Sequence, residues 1–151
     1  MKKLLWICFI VFSTLSLQAQ LTRTMHQVFE IDSVGMVKVD LWPKNDNYQW
    51  EVEIWPSRHI MVETNIGLSN ANDAILEFLV KEKRFELKTD RAPNLITLSN
   101  VLEERTAIGT KSGDINEEIR LIIYMPEFLV KIDENTWKRE LPDKENDKKE
   151  N

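Results

Sequence analysis

Val37, Val39 and Leu41 alternate with Lys38 and Asp40, and Trp50, Val52 and Ile54 alternate with Gln49, Glu51 and Glu53. A period of two in apolar positions predicts half-buried β-strands. Pro43-Lys44-Asn45-Asp46-Asn47 lies between the two runs and carries turn chemistry, so a hairpin is expected. Pairing Leu41 with Trp50, Val39 with Val52 and Val37 with Ile54 puts the apolar side chains on one face but sets Asp40 opposite Glu51. A two-residue shift pairs Leu41 with Tyr48 and avoids that clash, whereas a one-residue slip would oppose buried and solvent faces. After Pro56-Ser57, Ile60, Val62, Thr64 and Ile66 alternate with His59, Met61, Glu63 and Asn65. Val28 to Ile31 reads as a short strand ahead of all these.

The period changes at about Ala71. Ala71, Ala74, Ile75, Phe78 and Leu79 recur at spacings of three and four, which predicts one packed helix over residues 71–83. Ser69 or Asn70 is the expected cap, and Asp73 and Lys81 suit the two ends of the helix dipole. Strand alternation resumes at Arg84, with Phe85, Leu87 and Thr89 inward and Arg84, Glu86 and Lys88 toward water. Asp90-Arg91-Ala92-Pro93 reads as a four-residue loop that would place Leu87 opposite Ile96 and Phe85 opposite Leu98. Residues 100–114 hold few apolar positions and read as the mobile loop of the chain. Ile119 to Met125 is the most apolar run after the N-terminus and predicts a central strand. Leu129 to Ile132 predicts a last short one. The expected fold is mainly β: a single domain of stacked or rolled strands, solenoid-like or a sandwich, with one packed helix.

The two ends of the chain read differently. Lys2 and Lys3 precede the apolar stretch Leu4–Leu17, and Ala19 supplies a small residue before Gln20. This is the pattern of a secretory signal peptide over residues 1–19, and its apolar run is shorter than the roughly 20 residues of a membrane-spanning helix. Residues 138–151 are almost entirely charged and polar and read as a disordered tail, which leaves residues 20–137 as the domain. The implied location is periplasmic or extracellular, with no transmembrane segment in the mature chain.

Composition narrows the chemistry. The sequence has 20 Lys and Arg against 25 Asp and Glu, a net charge of −5; losing Lys2 and Lys3 takes the basic count to 18 and the net charge to −7. An acidic domain is poorly suited to nucleic acid or anionic lipid. The single cysteine, Cys8, lies in the signal segment, so the mature chain has no thiol nucleophile and no disulfide. His26 and His59 are too few and too far apart for zinc, and neither adjoins a nucleophile turn. Asn45-Asp46-Asn47 and Asp114-Asn116-Glu117-Glu118 read as turn and solubility clusters, since neither fits a calcium loop. Gly35, Gly67, Gly109 and Gly113 are too scattered for a phosphate loop. No metal site, cofactor or catalytic residue is expected, and the protein reads as a non-enzyme.

Asp40, Glu51, Glu53 and Glu63 are expected on the solvent face; a pair of them in a groove is the alternative reading, a carboxylate-dependent hydrolase of envelope polymers. Trp50 falls on the apolar face of its strand. Trp42 and Trp55 fall on the polar faces of theirs, where an exposed indole suits contact with a glycan or an envelope protein. These two are the candidate binding residues.

Ser33-Val34-Gly35-Met36-Val37-Lys38-Val39, Trp50-Glu51-Val52-Glu53-Ile54 and Ser112-Gly113-Asp114-Ile115 are similar to phrases found in secreted bacterial β-rich domains of unknown function, of adhesin type. The resemblance implies strands stacked as a β-solenoid and carries no catalytic residues. Few glycines and an inserted helix depart from that pattern. The resulting expectation is a secreted, non-catalytic binding or structural module of the bacterial envelope or exterior.

Overall fold

The structure, a computed structural model, describes residues 20–31, 34–111 and 113–140. The expected signal peptide and residues 141–151 of the expected tail lie outside the described residues. The described residues form eleven strands and one helix: β1 (Leu21–Glu30), β2 (Met36–Asp40), β3 (Tyr48–Trp55), β4 (His59–Ser69), α1 (Asp73–Lys81), β5 (Leu87–Ala92), β6 (Leu95–Asn100), β7 (Gly109–Thr110), β8 (Gly113–Asp114), β9 (Asn116–Pro126), β10 (Leu129–Asp133) and β11 (Thr136–Arg139). The chain is mainly β, with two sheets arranged like a sandwich and not closed into a barrel. The first sheet has the order β1-β4-β9-β3 and the second β10-β11-β2-β6-β5; β7 and β8 form a separate short ladder. The coil-on-coil stacking of a solenoid is not shown by this strand order.

Alternation places the core. In the first sheet Ile60, Val62, Ile66 and Leu68 of β4 and Ile119, Leu121, Ile123 and Met125 of β9 are buried, and in the second Val37, Val39, Ile96, Leu98 and Trp137 are buried. β9 pairs with β4 on one side and β3 on the other, so the apolar 119–125 run is a central strand as its composition predicts. Within it Ile122 points to the outer face, between Glu63 and Glu51.

The structure departs from several sequence expectations. β2 and β3 do not form a hairpin: β2 pairs with β6 and β11, β3 pairs with β9, and residues 41–47 cross from one sheet to the other. The β5–β6 hairpin has a two-residue turn, Pro93-Asn94, with Leu87 opposite Asn100 and Thr89 opposite Leu98. Pro followed by Asn at φ 66 is the arrangement of a type II turn, which tightens the loop and shifts the register while keeping the same faces inward. The helix is shorter than its apolar pattern, capped by Asn72, whose side chain accepts from the Ile75 N–H at 3.0 Å, rather than by Ser69 or Asn70. Leu76 and Leu79 form its buried stripe, and Phe78 is exposed.

The helix ends in a Schellman motif. Lys83 takes φ 58, its N–H bonds the Val80 carbonyl at 2.9 Å, and the Arg84 N–H bonds the Leu79 carbonyl at 3.1 Å. This turn sends Arg84 into the protein instead of toward water. The strand β11 also continues through Lys138 and Arg139, past the expected start of the tail, and Arg139 donates to the carbonyls of Val34 (3.1 Å) and Ile31 (3.0 Å). No helix among the described residues is long and apolar enough to cross a membrane.

Candidate functional site

The two lateral sides of the sandwich differ. On one side β1 and β5 are stitched together by a side chain that imitates a strand: the Gln27 amide accepts from the Leu87 N–H at 2.8 Å and donates to the Leu87 carbonyl at 3.0 Å. Arg91 reaches across the same seam to the Glu30 carbonyl at 2.7 Å. On the other side β3 and β10 are the sheet edges, and a groove of about 560 Å³ opens there. Trp42, Trp50 and Trp137 line it, with Lys44, Glu51, Lys131 and Glu134 among its charged residues. The Lys44 ammonium sits 4.2 Å from the Trp50 ring centre, and that of Lys131 sits 5.6 Å from the Trp137 ring. Cations over indole faces are held weakly when exposed, by about 0.5–1 kcal/mol, and are displaceable. The Trp50 indole N–H is shielded from solvent and has no hydrogen-bond partner among the described residues.

Trp42 is placed by the segment that sequence reasoning took for a mobile loop. Its backbone N–H bonds Asn100 Oδ1 at 2.9 Å, its indole N–H bonds the Glu103 carbonyl at 3.2 Å, and its ring lies 5.3 Å from that of Tyr48. Asn100 in turn donates to the Tyr48 hydroxyl at 2.9 Å. Burial pushes the Tyr48 pKa up to about 12, against the lowering effects of Asn100 and Arg105. Residues 100–108 are tied down further by Glu117. Its carboxylate accepts from Arg84 Nε at 2.7 Å, Arg84 Nη2 at 3.2 Å and Arg105 Nε at 3.0 Å, while Arg84 also donates to the Thr106 carbonyl at 2.6 Å. Glu117 and Arg84 are only 5% and 7% exposed. Sequence reasoning missed this cluster because Arg84 and Arg105 lie 33 and 12 positions from Glu117, and Glu117 sits in a run of polar residues that reads as a solvated turn.

Trp55 belongs elsewhere. Its indole N–H bonds the His59 carbonyl at 2.9 Å and its ring lies 5.8 Å from that of Tyr124. Tyr48, beside Trp42, and Trp55 are seven residues apart on β3, roughly 23 Å at strand rise. The two candidate tryptophans therefore do not share one site, and both are half-buried rather than fully exposed. Trp50, expected as core, is the indole that joins Trp42 in the groove.

The outer face of the first sheet carries Glu51, Glu53 and Glu63, as expected, around Tyr124 and Ile122. Partial desolvation, followed by the charges of Glu63, Glu53 and Glu51, raises the Tyr124 pKa. Asp40 lies apart from them, on β2 in the second sheet, 3.4 Å from Lys38. His26 is 3.3 Å from Glu63 on the outer face, and His59 sits at the start of β4. Among the described residues no three His, Cys, Asp or Glu side chains gather as metal ligands. No family model, curated protein or solved structure matches the chain.

Proposed function

We propose that the protein is an exported, non-catalytic binding module of the bacterial envelope or exterior, and that the groove between β3 and β10–β11 engages its ligand. The observation that carries this reading is the open side of the sandwich, where three indoles converge inside a charged rim while the opposite side is stitched shut. Aromatic surface that leaves water on binding is the usual source of hot-spot energy, about 2 kcal/mol or more per residue. Export is supported by the start of β1 at Leu21, so that cleavage after Ala19 would leave every described strand intact.

Cosedimentation of the purified protein with isolated envelope fragments tests the reading. Trp42→Ala and Trp50→Ala should each weaken retention by roughly 30-fold with the circular dichroism spectrum unchanged. Trp55→Ala, at the far end of β3, reports on a separate contact. Glu51→Gln with Glu53→Gln should leave the fragments chemically unaltered, as they are with the wild type. Wild-type retention of the Trp42 and Trp50 variants would overturn the groove, and polymer cleavage lost in the double Gln variant would favour a hydrolase.

A further inference from the structure

The open side has the features of a sheet lacking one strand. β3 is an edge strand of eight residues with no proline and no bulge in its pairing with β9. Asn47 and Trp55 give their carbonyls to the N–H groups of Ile119 and Glu127, so the odd-numbered residues of β3 turn their backbone groups toward β9. The even-numbered residues face the other way. Tyr48 satisfies its outward groups with Asn45, at 2.9 and 3.2 Å. Trp50, Val52 and Ile54 have no strand on that side among the described residues, and Trp50 and Val52 line the groove.

The core is also unfinished at this edge. Ile54 points to the same inner face as the buried Tyr48, and its Cα partner Met125 is fully buried, yet Ile54 is 58% exposed. An inward apolar residue at an edge loses its cover where the neighbouring strand is missing. On the outer face of the same strand, Glu51 and Glu53 are exposed, and among the described residues no strand lies beside them on the side away from β9.

We infer that β3 receives an extended peptide segment of a partner protein as an added strand, with apolar residues facing inward opposite Trp50, Val52 and Ile54 and alternating Lys or Arg residues facing outward opposite Glu51 and Glu53. Backbone hydrogen bonds from the edge supply affinity in such an arrangement, and alternate side chains supply selectivity. Residues directly opposite one another share a face, so the inner row extends the core and the outer row forms cross-strand charge pairs. The inference rests on the groove being the binding surface and names its ligand as a peptide rather than a glycan.

The test uses three nine-residue probes: valine alternating with lysine, valine alternating with glutamate, and the valine–lysine peptide N-methylated at every residue so that neither edge carries an N–H. Binding is read by tryptophan fluorescence and calorimetry on the mature chain. The valine–lysine peptide should bind, the glutamate peptide should bind roughly tenfold more weakly or worse, and N-methylation should abolish binding. Glu51→Lys with Glu53→Lys, both at exposed positions, should reverse the preference between the lysine and glutamate peptides. Equal binding of all three probes, or a preference unchanged by the charge reversal, overturns the inference. So does failure of every peptide; in that case, envelope retention that still depends on Trp42 and Trp50 would leave the binding module standing with a glycan as its ligand.

Discussion

Replacing Glu117 with Gln removes one charge from a nearly isosteric side chain and strands two guanidinium groups. Three hydrogen bonds reach the carboxylate, two from Arg84 and one from Arg105. Charge-assisted bonds are worth about 1.5–3 kcal/mol net against about 1 kcal/mol for neutral ones, so neutralising the acceptor alone costs about 2–4 kcal/mol over the three. Both carboxylate oxygens accept from arginine, so the amide nitrogen that replaces either one faces a donor. Arg84, only 7% exposed, keeps a charge that water reaches poorly. The total is about 3–5 kcal/mol, the range expected when one partner of a buried ion pair is removed. Urea unfolding followed by tryptophan fluorescence reads this as a lower midpoint at constant slope. Arg105→Ala should cost less, about 1–2 kcal/mol, because Arg105 is 20% exposed and water can replace its bond to Glu117. Glu117→Leu combined with Arg84→Met should be milder than Glu117→Leu alone, since no charge is left stranded. A loss below about 1 kcal/mol for Glu117→Gln would refute the reasoning, showing that the cluster is hydrated and does not anchor residues 100–108.

Three further outcomes follow from the packing. Tyr48 ionises near pH 10 in the unfolded chain and near 12 in the folded one, so its contribution is complete below pH 10 and is lost as the pH rises toward 12; the wild type should lose up to about 2–3 kcal/mol across that window in pH-dependent unfolding, and Tyr48→Phe should lose less. Lys83→Gly should raise stability by about 0.5–1 kcal/mol in thermal unfolding, because Lys83 holds φ 58 at the helix C-terminus without needing a side chain there. Ile123→Asp should abolish folding by circular dichroism, since Ile123 is fully buried, whereas Ile122→Asp on the outer face should cost only about 1–2 kcal/mol.

Local alternation made β2, β4 and β9 legible because their inner rows are apolar except for Thr64 in β4 and Glu117 at the start of β9. β1 was reduced to its last residues for the opposite reason. Its inner row includes Arg23 and Gln27, which break the pattern; Arg23 serves an ion pair with Glu77, and Gln27 serves the seam with Leu87. The false β2–β3 hairpin shows another limit. Both strands turn an apolar row inward whether they lie in one sheet or in two sheets that face each other, so parity cannot tell these apart. The site was legible only in outline. Trp42 was singled out by its polar-face position, but its partner Trp50 read as core because the sequence does not say which strand lies at an edge. Trp137, Lys131 and Glu134 reach the groove from the far end of the chain, through a β10–β11 pairing that no local pattern announces.

The most direct measurement is an amide and indole chemical-shift titration of the isotopically labelled chain from Gln20 onward with the valine–lysine peptide. The largest shifts should fall at the backbone amides of Trp50, Val52 and Ile54 and at the indole N–H groups of Trp42 and Trp50. Amides of β1 and β5 on the stitched side should stay unmoved. Shifts confined to that stitched side, to the helix, or absent altogether would contradict strand addition at β3.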